Sequence, residues 1–166
     1  MSTDNSTTDI DTSVQQYLSF MMENEEYAVS ILSVREIRGW EPVTPIPNTP
    51  DYVKGFINLR GKVVPIIDLR QRFNLELKEY SRTTVVIILN IDEIDDTSDL
   101  VGIIVDAVSE VYDIKQEVVR PAPKLGGHIE ARYIKGIAEV GDKNIVLTDV
   151  MSLLDAEELI KATASA

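Results

Sequence analysis

Leu18, Phe20 and Met22 fall on alternate positions, the period of a strand with one face buried. The polar "ENEE" at 23–26 supplies a turn, and "YAVSILSVREI" follows it. There Ser30 is placed to cap a short helical turn carrying Ile31, Leu32 and Val34, although periodicity does not separate that turn from strand. Four prolines between 41 and 50 lack amide donors, so this stretch is an extended loop or a sheet edge. Short apolar runs then recur at 55–59, 63–67, 83–89, 101–105, 117–119, 134–140 and 144–147. They are rich in Val and Ile and separated by Gly, Asn, Asp or charged residues. Few of the intervals could hold a crossover helix, so the pattern is that of small β-barrels or sandwiches, not βαβ units. Two helices are predicted: a short turn around 68–73, and a C-terminal helix within 149–162 that gathers Met151, Leu153, Leu154, Leu159 and Ile160. The polar start, residues 1–14, reads as a disordered tail.

The chain also repeats itself. Without gaps, "VKGFINLRGKVVPIIDLRQRF" (53–73) aligns with "IKGIAEVGDKNIVLTDVMSLL" (134–154). Lys54, Gly55, Lys62 and Asp68 fall on Lys135, Gly136, Lys143 and Asp149, and the apolar positions follow suit. Upstream, "SVREI" (33–37) echoes "AVSEV" (107–111), and "PVTPIP" echoes "VVRPAP". A collinear series of three matches is better explained by two copies of one β unit than by shared strand patterning. The expectation is two small barrels related by a pseudo-two-fold, with approximate halves 15–78 and 79–160 and a boundary within 74–84 that exchange of a terminal strand would soften.

Charge and chemistry narrow the function. A formal net charge of −12, with no dense Lys/Arg cluster, argues against nucleic acid and anionic lipid as partners. No apolar run is long enough to span a bilayer, and the first residues do not have the form of a secretory signal. Cysteine is absent, which excludes disulfides and thiol catalysis and fits a cytosolic protein. The single histidine, His128, follows two glycines in "LGGHIEA" and reads as a solvated loop residue. No nucleophile elbow, P-loop or dinucleotide fingerprint occurs. The stretch "IDEIDDTSD" (91–99) lacks the alternation, central Gly and distal Glu of an EF-hand, and reads as a solvated hairpin loop. Asp68 and Asp149 occupy the same place in both copies, where an aspartate caps a helix. No enzyme, cofactor or metal is expected.

One hairpin stands out. "FIN-LRG-KVV" reads as a three-residue loop with a bulge, in which Gly61 takes a positive φ. The second copy carries "EVGDKN" there, without an arginine, so Arg60 is a local specialisation: a partner contact on a rigid turn, or a plain solubilising arginine.

The same residues resemble the chemotaxis coupling protein family, CheW. "VKGFINLRGKVVPIIDLRQRF" is similar to its central signature, and "YAVSILSVREIRGW", "NTPDYVKG", "TTVVIILN", "LVGIIVDAVSEV", "VVRPAP" and "YIKGIAEVGDKNIVLTDVMSLL" resemble successive blocks in order, over about residues 15–160. The resemblance implies one domain of two SH3-like five-stranded barrels and no catalysis. It implies an adaptor between cytoplasmic tips of chemoreceptors and the C-terminal regulatory domain of the histidine kinase CheA, cytoplasmic and recruited to receptor arrays, without insertion into the membrane. By motif position, Glu36, Arg60 and Val108 match residues associated with receptor contact, and Val34 and Gly55 match residues associated with kinase coupling. The acidic loop 91–99 looks longer than in compact members, and the length suits a free-standing coupler or a fragment of a larger signalling protein. A chemosensory pathway unrelated to motility is the alternative setting.

Overall fold

The computed structural model describes residues 13–90, 100–121 and 133–149. The N-terminal tail, the acidic loop 91–99, His128 and the predicted C-terminal helix beyond Asp149 lie outside them. Ten strands form: β1 (Val14–Met22), β2 (Glu25–Ser30), β3 (Val34–Gly39), β4 (Val53–Leu59), β5 (Lys62–Asp68), β6 (Val85–Asn90), β7 (Leu100–Val105), β8 (Ala107–Lys115), β9 (Ile134–Val140) and β10 (Lys143–Thr148). Among the described residues one short helix, α1 (Leu69–Arg72), follows β5. Ser30 does cap a 3-10 turn at Ile31–Ser33, its hydroxyl accepting from the Leu32 amide at 3.3 Å. The apolar run at 117–119 is not a strand; Gln116–Val118 form a second 3-10 turn. The strand lies just before it, in β8, whose exposed, charged middle hides its period from a hydrophobicity count.

The strands make two five-stranded sheets, ordered β3-β6-β7-β5-β4 and β8-β1-β2-β10-β9. Laid side by side, the orders match β6 with β1, β7 with β2, β3 with β8, β4 with β9 and β5 with β10. The parallel contact falls at the same place in both, Ile66 opposite Gly102 and Leu147 opposite Ala28. The repeated unit is therefore β1–β5 followed by β6–β10. The sheets do not respect it. The expected halves 15–78 and 79–160 are not spatial units, because β6 and β7 join the first unit's β3–β5 while β1 and β2 join the second unit's β8–β10. One sheet is continuous in sequence, and the other is split around it.

Burial explains the exchange. β6 and β7 have nearly every residue buried, since Val86, Ile88, Leu100 and Ile104 pack with Leu59, Val64 and Ile66 of their own sheet while Ile87, Leu89, Val101, Ile103 and Val105 turn to the other side. There they meet Leu18, Phe20, Met22, Tyr27 and Val29 of β1 and β2 in one shared core. Tyr17 and Ala28, on the opposite faces of β1 and β2, pack with Ile114, Ala138, Ile145 and Leu147. A cluster drawn from one sheet and its adjoining loops means that the sheet wraps around it, as in a small barrel. The exchanged hairpins thus serve two cores each. β1 is correspondingly buried on both faces, not on one: Tyr17 and Ser19 are as inaccessible as Phe20.

Candidate functional site

The hairpin between β4 and β5 pairs Leu59 with Lys62, leaving a two-residue loop and not the three-residue bulged loop the spacing suggested. Both loop residues have positive φ, +52° at Arg60 and +87° at Gly61, as a type I′ turn requires. Type I′ matches the twist of the flanking strands, which is why the shorter loop prevails. The Asn58 side chain accepts from the Gly61 amide at 2.9 Å and steadies the turn. Arginine is an unusual occupant, because the left-handed region costs a non-glycine residue roughly 1–2 kcal/mol. At the equivalent place the second unit has Gly141, with φ +64°.

Arg60 reaches back over β3. Its Nη2 lies 3.4 Å from Glu36 Oε1, and Arg38 Nε lies 3.8 Å from Glu36 Oε2. The Arg60 side chain is 80% exposed, so this pair contributes little stability, under about 1 kcal/mol. Val34, Glu36 and Arg60 line one open groove together with Arg35, Lys62 and the apolar pair Leu59 and Leu100. The guanidinium thus stands at the rim of a half-apolar groove and its ion pair is weak.

The other two positions lie elsewhere. Gly55 sits in β4 beneath the proline-rich segment, where a Cβ would stand 2.2 Å from the Thr44 carbonyl oxygen and 2.9 Å from Val43 Cγ2. Thr44 and Phe56 exchange backbone hydrogen bonds of 3.1 and 2.8 Å across this close approach. Gly136 does the same work in the second unit, with Val119 Cγ1 and the Arg120 carbonyl oxygen at 2.5 and 2.9 Å from its missing Cβ. Gly55 therefore lets a strap lie flat on the sheet. Val108 is the second residue of β8 in the other sheet, opposite Phe20, and is the counterpart of Val34, which opens β3 opposite Leu89. Both half-buried valines lean on the shared core.

A second polar cluster was not anticipated from sequence. Arg70, 7% exposed, donates from Nε and Nη2 to Asp106 at 2.8 and 2.6 Å, and from Nη1 to Glu23 and to the Glu76 carbonyl. Glu23 belongs to the β1–β2 turn, and Asp106 is the residue that passes the chain from one sheet to the other. Burial alone would raise the Asp106 carboxyl, but hydrogen bonds from Arg70 and the Glu23 amide hold it below the usual carboxylate range. Asp68 does cap α1, accepting from the Arg70 amide at 2.9 Å, and it also accepts the Tyr80 hydroxyl at 2.7 Å. Burial and that bond push the Tyr80 phenol up. An i, i+2 pair such as Asp68 and Arg70 carries no sequence signal of a buried clamp.

Two curled sheets, sharing one core and offering a charged groove on a rigid turn, define a double-barrel β protein built to present surface. Among the described residues no cluster of three His, Asp or Glu could hold a metal, and no helix is long and apolar enough to cross a membrane. Residues 16–164 match the family model of the CheW-like domain. The chain is 44% identical over 145 residues to the chemotaxis protein CheW of Klebsiella aerogenes, covering 87% of this chain and 84% of that one. To its namesake in Bacillus subtilis it is 32% identical over 143 residues, covering 86% and 88%. The crystal structure of the scaffolding protein TtCheW from Thermoanaerobacter tengcongensis superposes with a TM-score of 0.76 at 33% identity, covering 85% of this chain and 92% of that one. The chain belongs to the CheW-like family.

Proposed function

We propose that this protein is a non-enzymatic chemotaxis adaptor that couples cytoplasmic chemoreceptor tips to the histidine kinase CheA, working in the cytoplasm at receptor arrays. One observation carries the reading most directly. Arg60 holds a left-handed backbone that glycine would adopt freely, gains little from its ion pair, and stands 80% exposed beside an apolar-floored groove. A residue kept against its own conformational cost is best accounted for by a partner. In this reading Glu36 and Arg60 meet the receptor, with Val108 contributing from the second sheet. Val34 and Gly55 serve kinase coupling, Gly55 through the strap it seats.

The test is Arg60→Gly, which installs the residue of the second unit. Relief of the left-handed cost should leave the fold as stable or more stable, by up to about 1 kcal/mol. Binding to receptor-tip fragments should weaken by about tenfold or more, the scale of a lost charge-assisted contact. Unchanged receptor binding in a folded variant would remove Arg60 from the interface. Kinase activity reconstituted with receptor, with and without this protein, tests the coupling itself.

A further inference from the structure

The residues proposed above to meet the receptor lie in two different sheets, Glu36 and Arg60 in the first and Val108 in the second. Their relative placement depends on how the chain crosses from sheet to sheet. Among the described residues it crosses twice. One crossing is the 3-10 turn Ile31–Ser33, which leads into Val34; the other is Asp106 alone, which leads through Ala107 into Val108. Register makes the two crossings equivalent. Ala28 opposite Leu147 matches Gly102 opposite Ile66, and Val34 opposite Leu89 matches Val108 opposite Phe20, so Leu32 holds the place of Asp106. In the gapless repeat Arg70 aligns with Met151. One unit thus has an arginine and an aspartate at these two positions, and the other a methionine and a leucine. The repeated fold does not itself require the charged pair.

The pair grips the crossing that leads to Val108. Arg70 stands on α1, directly after β5, and β5 is the strand that leaves the Arg60 turn, so the two arginines flank one strand. From a buried position Arg70 holds both oxygens of Asp106, Nε to Oδ1 at 2.8 Å and Nη2 to Oδ2 at 2.6 Å. Such a bidentate grip sets direction as well as distance. Asp106 Oδ2 also accepts from the Glu23 amide at 3.1 Å, and the Asp106 amide donates to the Met21 carbonyl at 3.2 Å. Beyond Val108 the ladder is interrupted, because β8 carries an extra residue between its pairs Val108–Phe20 and Val111–Leu18. A bulge breaks regular pairing and bends the strand, so the first residues of β8 take their position from whatever grips Asp106. We infer that Arg70 is a positioning residue for receptor contact. Through Asp106 it sets Val108 of one sheet at a fixed offset from Glu36 and Arg60 of the other, and a receptor surface that touches both sheets is matched only while that grip holds. Val34 and Gly55 lie in the first sheet, on the same side of the crossing as Arg70, and do not depend on it.

This inference rests on the coupling function proposed above. Asp106→Asn keeps the shape of the side chain and weakens the grip, while Arg70→Lys keeps the charge and loses the fork. Both are compared with wild type by calorimetric titration against receptor-tip fragments and, separately, the kinase regulatory domain. Tyr80→Phe, which loosens the neighbouring Asp68 without touching Asp106, controls for stability alone. Wild type that binds no receptor tip refutes the coupling function itself. Given wild-type binding, receptor affinity should fall about tenfold in both grip variants. Their kinase affinity, and both affinities of Tyr80→Phe, should stay within about twofold of wild type. In a Val108→Ala background the grip substitutions should weaken receptor binding by less than about twofold more, because the side chain they place is gone. Wild-type receptor affinity in folded Asp106→Asn overturns the inference, and Arg70→Lys decides in its place if Asp106→Asn does not fold. A loss that adds in full to that of Val108→Ala, or an equal loss of kinase affinity or in Tyr80→Phe, overturns it too. Loss of fold in both grip variants assigns the pair to stability alone, with the same consequence.

Discussion

Replacing Arg70 by methionine keeps most of the side chain's length and removes the guanidinium from the crossing point of the two sheets. Three carboxylate hydrogen bonds and one to a carbonyl are lost, from a side chain that is 8% exposed. Asp106 and Glu23 are left facing each other without the guanidinium, and Lys78 is the cation that still acts on Asp106. Breaking a buried ion pair by removing one partner costs about 3–5 kcal/mol. Here the carboxylates are 21% and 47% exposed, so water recovers part of their solvation and the lower end, about 3 kcal/mol, is the better figure. For a chain of this size that corresponds to a fall in melting temperature of roughly 6–12 °C. Urea denaturation measures it directly, and a double-mutant cycle with Asp106→Asn should give a coupling of about 1–3 kcal/mol. Hydrogen exchange should show the β1–β2 hairpin losing protection first, because Glu23 anchors its turn to α1. A loss below about 1 kcal/mol, or protection lost uniformly, would refute the view that Arg70 clamps the exchanged hairpin to the first barrel.

The same cluster sets an acid limit. The Asp106 carboxyl is depressed on folding, so its contribution is present above the unfolded carboxylate pKa of about 4 and is lost as pH falls below it. Stability followed between pH 7 and 3 should drop at the acid end, and that part of the drop should be missing in Asp106→Asn. Gly55→Ala forces a Cβ into the Thr44 carbonyl and should cost about 2 kcal/mol or more with displacement of the strap, read by thermal melting and by amide shifts across 41–47. Gly136→Ala should do the same to 118–121, where Val119 and Arg120 make the equivalent approach. Tyr80→Phe, which removes the hydroxyl bonded to the buried Asp68, should cost about 1–2 kcal/mol by urea titration, while Arg60 substitutions leave this value untouched.

The linear sequence by itself determined the all-β class, the short helix after β5, the duplication and the turn that holds Arg60. Each of these is written locally: alternation of apolar residues, an aspartate before a helical turn, glycine at a positive φ, and two stretches that align without gaps. Comparison of the two copies also isolated Arg60, since Gly141 shows that the turn needs no arginine. The tertiary structure alone decided which strands share a sheet. Continuous apolar runs in β6 and β7 say that both faces are buried but not against what, and the same period fits a barrel closed within a unit or between units. Exchange wins because hairpins buried on both sides can line their own barrel and the shared core at once. The Arg70 clamp follows from that exchange, joining Glu23 and Asp106, 83 residues apart, at a point where no local pattern exists.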